Sequence, residues 1–239
     1  MPLQRKAKLV PTLAAVLGVI ATAYLGNWQL NRAAYKLELQ QRIDHARAQP
    51  ALQLPATPVR TDDVAFYRVA AEGEFRPELT VFLDNKVRNG AVGYEVVTPV
   101  RLGESQLHVL VDRGWVKAPP TRSELPPVTT PSGPVRIEGI ALPPPSRFVE
   151  LSDQTVTGRV WQNLRFDRYR DAYGVDLQPV LIQQHNDMSD GLVRVWSRPD
   201  TGVDVHRAYA LQWFTMSGAI AILYIVLNVR RKKQTLDAA

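Results

Sequence analysis

Two long stretches without a charged residue constrain this chain more than any other feature of its sequence. Ala208 to Val229, AYALQWFTMSGAIAILYIVLNV, runs 22 residues with no Asp, Glu, Lys or Arg. Toward the other end, Leu9 to Leu25, LVPTLAAVLGVIATAYL, runs 17 residues, and the uncharged stretch continues through Leu30. About 20 apolar residues in a helix cross the hydrocarbon core of a bilayer. A core helix of a soluble domain normally keeps a polar face, so it rarely stays uncharged for this long. Membrane-spanning helices are therefore expected over residues 9–30 and 208–229. The first stretch has a rival reading, because Arg5, Lys6 and Lys8 followed by an apolar run and Ala21-Thr22-Ala23 also fit a cleavable signal peptide. Either reading exports the middle of the chain.

The net charge of +6 sits at the two ends. Residues 1–8 hold Arg5, Lys6 and Lys8, and residues 230–239 hold Arg230, Arg231, Lys232 and Lys233 against Asp237. Between them bases and acids balance, so no basic surface for phosphates is expected and a nucleic-acid partner is argued against. The positive-inside rule places both termini in the cytoplasm. Residues 31–207 then form an extracytoplasmic region, on the periplasmic side of a bacterial inner membrane. Cysteine is absent, which removes disulfides and thiolate chemistry from this chain.

Within the exported region, Leu30 to Ala48 reads as a helix continuing the first membrane segment, stopped by Pro50, Pro55 and Pro58. From Phe66 the pattern is β-rich. FYRVAAEGEF, TVFLDNK, AVGYEVVTPVRL, QLHVLVDRGWV, VRIEGIAL, VWQNLRF, PVLIQQ and LVRVW read as short strands, with Asn89-Gly90 and Leu102 to Ser105 as hairpin connections. Asp167 to Ala172 reads as a short helix. Residues 118–134 hold six prolines and read as a long surface loop. The expected fold is a membrane protein with two transmembrane helices flanking a β-rich α+β extracytoplasmic domain, a single sheet or a partly open barrel.

Few residues suggest chemistry. His206 stands just before the second apolar stretch, in HRAYALQWF, where His206, Tyr209 and Trp213 share one helical stripe. Trp28, Gln29 and Arg32 close the first stretch at a matching depth. Two readings stay open for these residues. Tyr and Trp favour the bilayer interface by shape alone, while an imidazole there is able to ligate haem iron. Gln29 and Gln212 both want polar partners, and pairing the two helices would supply them. Asp112 and Arg113 are placed to pair across a tight turn at Gly114. His108 alternates within a strand and reads as a surface or edge residue. His45, His108 and His185 have no zinc-like spacing. With no Gly-x-Ser-x-Gly, P-loop or dinucleotide motif, no catalytic residues are assigned and an enzyme is the weaker expectation.

Four stretches, in order and between two apolar ends, resemble the SURF1 family of cytochrome c oxidase assembly factors. They are LGNWQLNR over residues 25–32 with Lys36, GYEVVTP over 93–99, VDRGWV over 111–116, and HRAYALQWF over 206–214. Asp112 stands where Asn is common in that family. The resemblance spans nearly the whole chain and implies that the first helix is retained. It further implies a role in maturing haem-copper oxidases, aiding the binding or insertion of haem a in the catalytic subunit. On that reading His206 is the haem-iron ligand, Trp28, Tyr209 and Trp213 cover the porphyrin, and Arg32 and Arg207 meet the propionates. The implied partners are the oxidase catalytic subunit, a haem a synthase and the lipid bilayer. The alternative is a cofactor-free membrane scaffold that stabilises an oxidase assembly intermediate. A tethered hydrolase would need a histidine beside Asp112 or Glu95 in a closed pocket. A reporter enzyme active only outside the cytoplasm, fused after positions between 60 and 200, is expected to be active; cytoplasmic activity there would end the two-span reading.

Overall fold

The computed structural model describes residues 2–121, 124–145, 156–196 and 202–236. Their contacts divide the chain into two units, Met1–Arg42 with Arg198–Ala239, and Ile43–Ser197.

The first unit is a pair of antiparallel helices. Helix α1, Pro2–Ala48, is 47 residues long, so Leu30 to Ala48 does continue the first apolar stretch without a break. At 1.5 Å per residue it extends about 70 Å. The last helix, Val203–Leu236, runs against its first part. The residue pairs show the direction. Thr12 Oγ1 meets the Tyr224 hydroxyl at 2.7 Å, and Ser217 Oγ donates to the Val19 carbonyl at 3.3 Å. Gly18, Thr22 and Gly26 fall four apart on one face of α1. A Cβ at Gly26 would stand 2.9 Å from the Phe214 ring, so any larger residue would make that ring shift. Small residues of this kind let helices pack closely where no water drives them together. The most apolar windows of the two helices are only 11% and 6% buried, with Leu17, Ile20, Leu211 and Ile222 facing outward. Both helices are long and apolar enough to cross a membrane. Such exposure is the reverse of a soluble core helix.

The second unit carries the sheet. In chain order it holds β1 (Leu52–Gln53), α2 (Thr61–Val64), β2 (Arg68–Phe75), β3 (Val81–Arg88), β4 (Ala91–Leu102), β5 (Leu107–Lys117), β6 (Pro134–Leu142), β7 (Val156–Thr157), β8 (Val160–Trp161), α3 (Phe166–Tyr173) and β9 (Asp176–Gln184). The helix Val203–Leu236 of the first unit is then α4. The hairpin at Asn89-Gly90 has positive φ at both residues, 48° and 77°, the geometry an Asn-Gly turn favours.

The sheet corrects the expected openness: it closes. Strands pair in the order β2-β6-β9-β5-β4, and β2 also pairs with β4, completing a five-stranded ring. The closing register is Gly73 with Leu102, Glu74 with Arg101 and Phe75 with Val100. One edge of β4 serves two neighbours, β3 over Ala91 to Val97 and β2 over Val100 to Leu102. Pro99 marks the exchange. Its carbonyl accepts the Arg76 N–H at 2.9 Å, and its missing N–H falls in the gap between the β3 and β2 pairings. Strands β3, β8 and β7 extend the sheet beyond the ring.

Alternate ring residues, among them Val69, Ala71, Val109, Val111, Ile137 and Ile182, form one core. A second cluster packs Trp161, Leu164 and Tyr169 against Val81, Leu83 and Leu110, with the Tyr169 hydroxyl donating to the Leu79 carbonyl at 2.5 Å.

Several local expectations are corrected. VWQNLRF is strand only at Val160–Trp161. LVRVW is not a strand; Val193 makes an isolated bridge to Trp115. His108 is not at a surface or edge but 5% exposed, because β5 is flanked by β4 and β9. Asp112 and Arg113 do not pair with each other. They lie inside β5 at a bulge against β4, and their side chains take opposite faces. The proline-rich loop has neither helix nor strand over its described residues before Pro134, while 122 and 123 lie outside the described residues.

At Gly73 a Cβ would stand 1.9 Å from the Arg101 carbonyl oxygen. Gly73→Ala is therefore expected to open the β2–β4 seam and cost roughly 1–3 kcal/mol, read as a lowered Tm of the detergent-solubilised chain; an unchanged Tm would refute closure at this seam.

Candidate functional site

The residues singled out in the sequence lie on α1 and α4. His206 occupies the first turn of α4, half-buried, and its Nδ1 lies 2.6 Å from Oε1 of Gln29 on α1. An amide oxygen only accepts, so Nδ1 carries the proton and donates. The imidazole Nε2 is left with its lone pair, and the ring makes no other hydrogen bond among the described residues. A hydrogen-bond acceptor on one ring nitrogen is how proteins orient a histidine whose other nitrogen binds a metal.

The other predicted site residues are positioned less tightly. Tyr209 and Trp28 are each 50% exposed, and Trp213 is half-buried. Their apolar bodies are available to a ligand or to lipid. Arg32 lies over the Tyr35 ring, 5.5 Å from its centroid. Arg207 reaches Asp204 at 3.6 Å, both exposed. Such exposed contacts hold an arginine weakly. Gln212 is exposed and does not meet Gln29; the partner of Gln29 is His206. Sequence reasoning recognised that Gln29 needed a polar partner and that His206 lay at its depth. It missed that the two join.

The β domain holds a second group of ionisable residues. Arg113 lies in the ring core with its side chain fully buried. It donates to Asp190 Oδ2 at 2.8 Å, to Thr130 Oγ1 at 2.7 Å and to the Thr129 carbonyl at 2.7 Å, and it stacks over Phe75. Arg194 donates to the same Asp190 oxygen at 2.6 Å. Burial alone would raise the Asp190 carboxyl, but Arg194 and Arg113 hold it below its ordinary value. This network ties the proline-rich loop to the ring.

Asp112 faces the other way. One of its carboxylate oxygens is buried without a partner. Burial, then the neighbouring Glu95, push its carboxyl well above the usual range, against the pull of Lys86 and Arg88. Glu95 is itself engaged by Lys86 at 2.9 Å. None of the groups named as acting on Asp112 is a histidine.

Comparison with known proteins is decisive at the level of family. The SURF1 family profile matches residues 16–218. The chain belongs to the SURF1 family. It is similar to the cytochrome oxidase assembly protein SHY1 of Saccharomyces cerevisiae, 26% identical over 72% of this chain and 45% of the yeast protein. The chain thus spans less than half the length of that relative. It is also similar to a SURF1-like protein of Monosiga brevicollis, 26% identical over 89% of this chain and 85% of that protein. Surfeit locus protein 1 of Xenopus tropicalis is 23% identical over 89% of this chain and 74% of its own length. The SURF1 match begins within the first apolar helix, covers the closed barrel and ends within the second apolar helix.

Asp112 gives a pH-dependent prediction. The folded state holds its proton more tightly than the unfolded chain, so this stabilisation is full below the unfolded value near 3.9 and is lost as pH rises through the raised folded value. Asp112→Asn, which removes that titration, is expected to raise Tm at about pH 8, the gain fading toward about pH 4. Differential scanning fluorimetry at both pH values checks it, and a pH-independent difference would contradict the assignment.

Proposed function

We propose that this SURF1-family chain is an assembly factor for a haem-copper (cytochrome c) oxidase. On this reading it aids the binding or insertion of haem a in the catalytic subunit and is not itself an enzyme. The single observation that carries the cofactor part is the 2.6 Å contact of His206 Nδ1 with Gln29 Oε1, which leaves Nε2 as a pre-oriented ligand. The yeast relative's name, a cytochrome oxidase assembly protein, supports the assembly part.

The residues present fit a haem. His206 would hold the iron through Nε2. Trp28, Tyr209 and Trp213 offer aromatic surface on the same helix pair, and Arg32 and Arg207, held only by exposed contacts, are free to turn toward carboxylates. Bound, haem a would supply the iron and porphyrin destined for the oxidase. The protein's part is to ligate, to cover the apolar face and to release. One imidazole steadied by one amide suits that need better than a closed cage.

The proposed setting is a cell inner membrane. Residues 9–30 and 208–229 span it, both termini are cytoplasmic, and residues 31–207 lie on the periplasmic side in reach of the oxidase subunit and a haem a synthase. Two exposed apolar helices are compatible with this setting.

The test is an optical spectrum of the full chain purified in detergent from cells with an active haem a pathway. Haem is expected to co-purify with the wild type and to be lost from His206→Ala. Gln29→Leu should weaken retention by about 10–100-fold, as loss of the hydrogen bond that orients a ligating histidine does. A His206→Ala chain that keeps its haem and full oxidase maturation would overturn the carrier reading in favour of a cofactor-free scaffold.

A further inference from the structure

The β domain has a cavity of about 410 Å³, lined by Arg47, Arg68, Glu138 and His185 over an apolar floor that includes Val69 and Ile140. Its charges do not cancel. Glu138 is engaged by Arg136, whose Nε donates to its carboxylate at 3.0 Å; Arg136 also donates to Glu72 at 2.8 Å. Neither the Arg47 nor the Arg68 guanidinium has a hydrogen-bond or ion-pair partner among the described residues. The Arg47 Nε is buried and unpartnered, an arrangement that costs free energy unless something accepts a hydrogen bond from it.

The third donor is held in place. His185 follows β9, and its backbone N–H donates to the Glu138 carbonyl at 2.8 Å. Next to it, Asn186 accepts the Glu138 N–H at 2.9 Å and donates to the Arg136 carbonyl at 2.9 Å. Four backbone-anchored bonds, counting Asn186 N–H to Glu138 O at 3.3 Å, therefore fix the wall that carries the imidazole. Burial, then Arg47 and Arg68, lower the His185 value, so it is the residue whose protonation would respond to an anion between them.

We propose that this cavity binds a phosphate group through Arg47, Arg68 and His185, whether that phosphate is free or is the headgroup of an anionic lipid. Two guanidinium forks and an imidazole converge on one space. A planar carboxylate is satisfied by one fork, whereas a phosphate has oxygens enough for all three donors. The apolar floor leaves room for the substituent of a phosphate ester.

The test follows the imidazole NMR signals of the full chain in neutral detergent during addition of inorganic phosphate, and separately in phosphatidylcholine nanodiscs with and without phosphatidylglycerol. A saturable shift of His185 with a raised pKa is expected, weakened about tenfold or more in Arg47→Gln and in Arg68→Gln. The buried His108 signal reports that each variant is folded. A response to inorganic phosphate assigns a free ligand, and a response confined to phosphatidylglycerol assigns a lipid headgroup; both support the site. No saturable shift in either arm, an equal response to chloride, or unchanged affinity in both arginine variants would overturn it.

Discussion

The three residue pairs between β2 and β4 are the constraint on which the β domain depends. Without them Gly73 to Phe75 of β2 and Val100 to Leu102 of β4 would present unpaired N–H and C=O groups, an open edge that invites pairing with another chain. The closure needs a side-chain-free position, supplied by Gly73 against the Arg101 carbonyl. It also needs β4 to exchange neighbours without losing ladder bonds, which Pro99 marks. Both requirements are met by the residue types least expected inside a regular strand.

Once the ring is closed, strand alternation sorts every side chain into the ring core or onto its outer face. Along β5, Leu107, Val109 and Val111 face the core, and Arg113 follows them at the bulge. Arg113 enters the core and is matched there by Asp190, two threonines and the Phe75 ring. A charge so enclosed is tolerable only with partners of this quality. Asp112 takes the opposite face, where one oxygen goes unsatisfied and its acid form is favoured. Two adjacent ionisable residues thus have opposite electrostatic fates because neighbours along a strand face opposite ways.

The helix pair obeys a different economy. Its apolar residues face outward, and the contacts between α1 and α4 are small or polar: Gly26 under Phe214, Thr12 with Tyr224, Gln29 with His206. In an apolar setting such polar contacts set register, since each group lacks water as an alternative partner. The same contact that fixes register also fixes the tautomer of His206, so packing and candidate chemistry share one hydrogen bond.

Much of this was legible from residue order. Absence of charge marked both long helices, Asn89-Gly90 marked a hairpin, and the prolines of residues 118–134 marked a loop, because these signals act over a few neighbouring residues. His206, Tyr209 and Trp213 were legible as one stripe for the same reason. Ring closure, the burial of His108, the partner of Arg113 and the meeting of Gln29 with His206 were not legible. Each joins residues far apart in the chain: 77 positions separate Arg113 from Asp190, and 177 separate Gln29 from His206. The sequence by itself determined the two long helices, the longer strands and the Asn89-Gly90 turn, since local sterics and hydrophobic period decide those. Only the tertiary structure decided that the sheet shuts on itself and which polar groups find each other, since register and partner choice are settled by long-range packing.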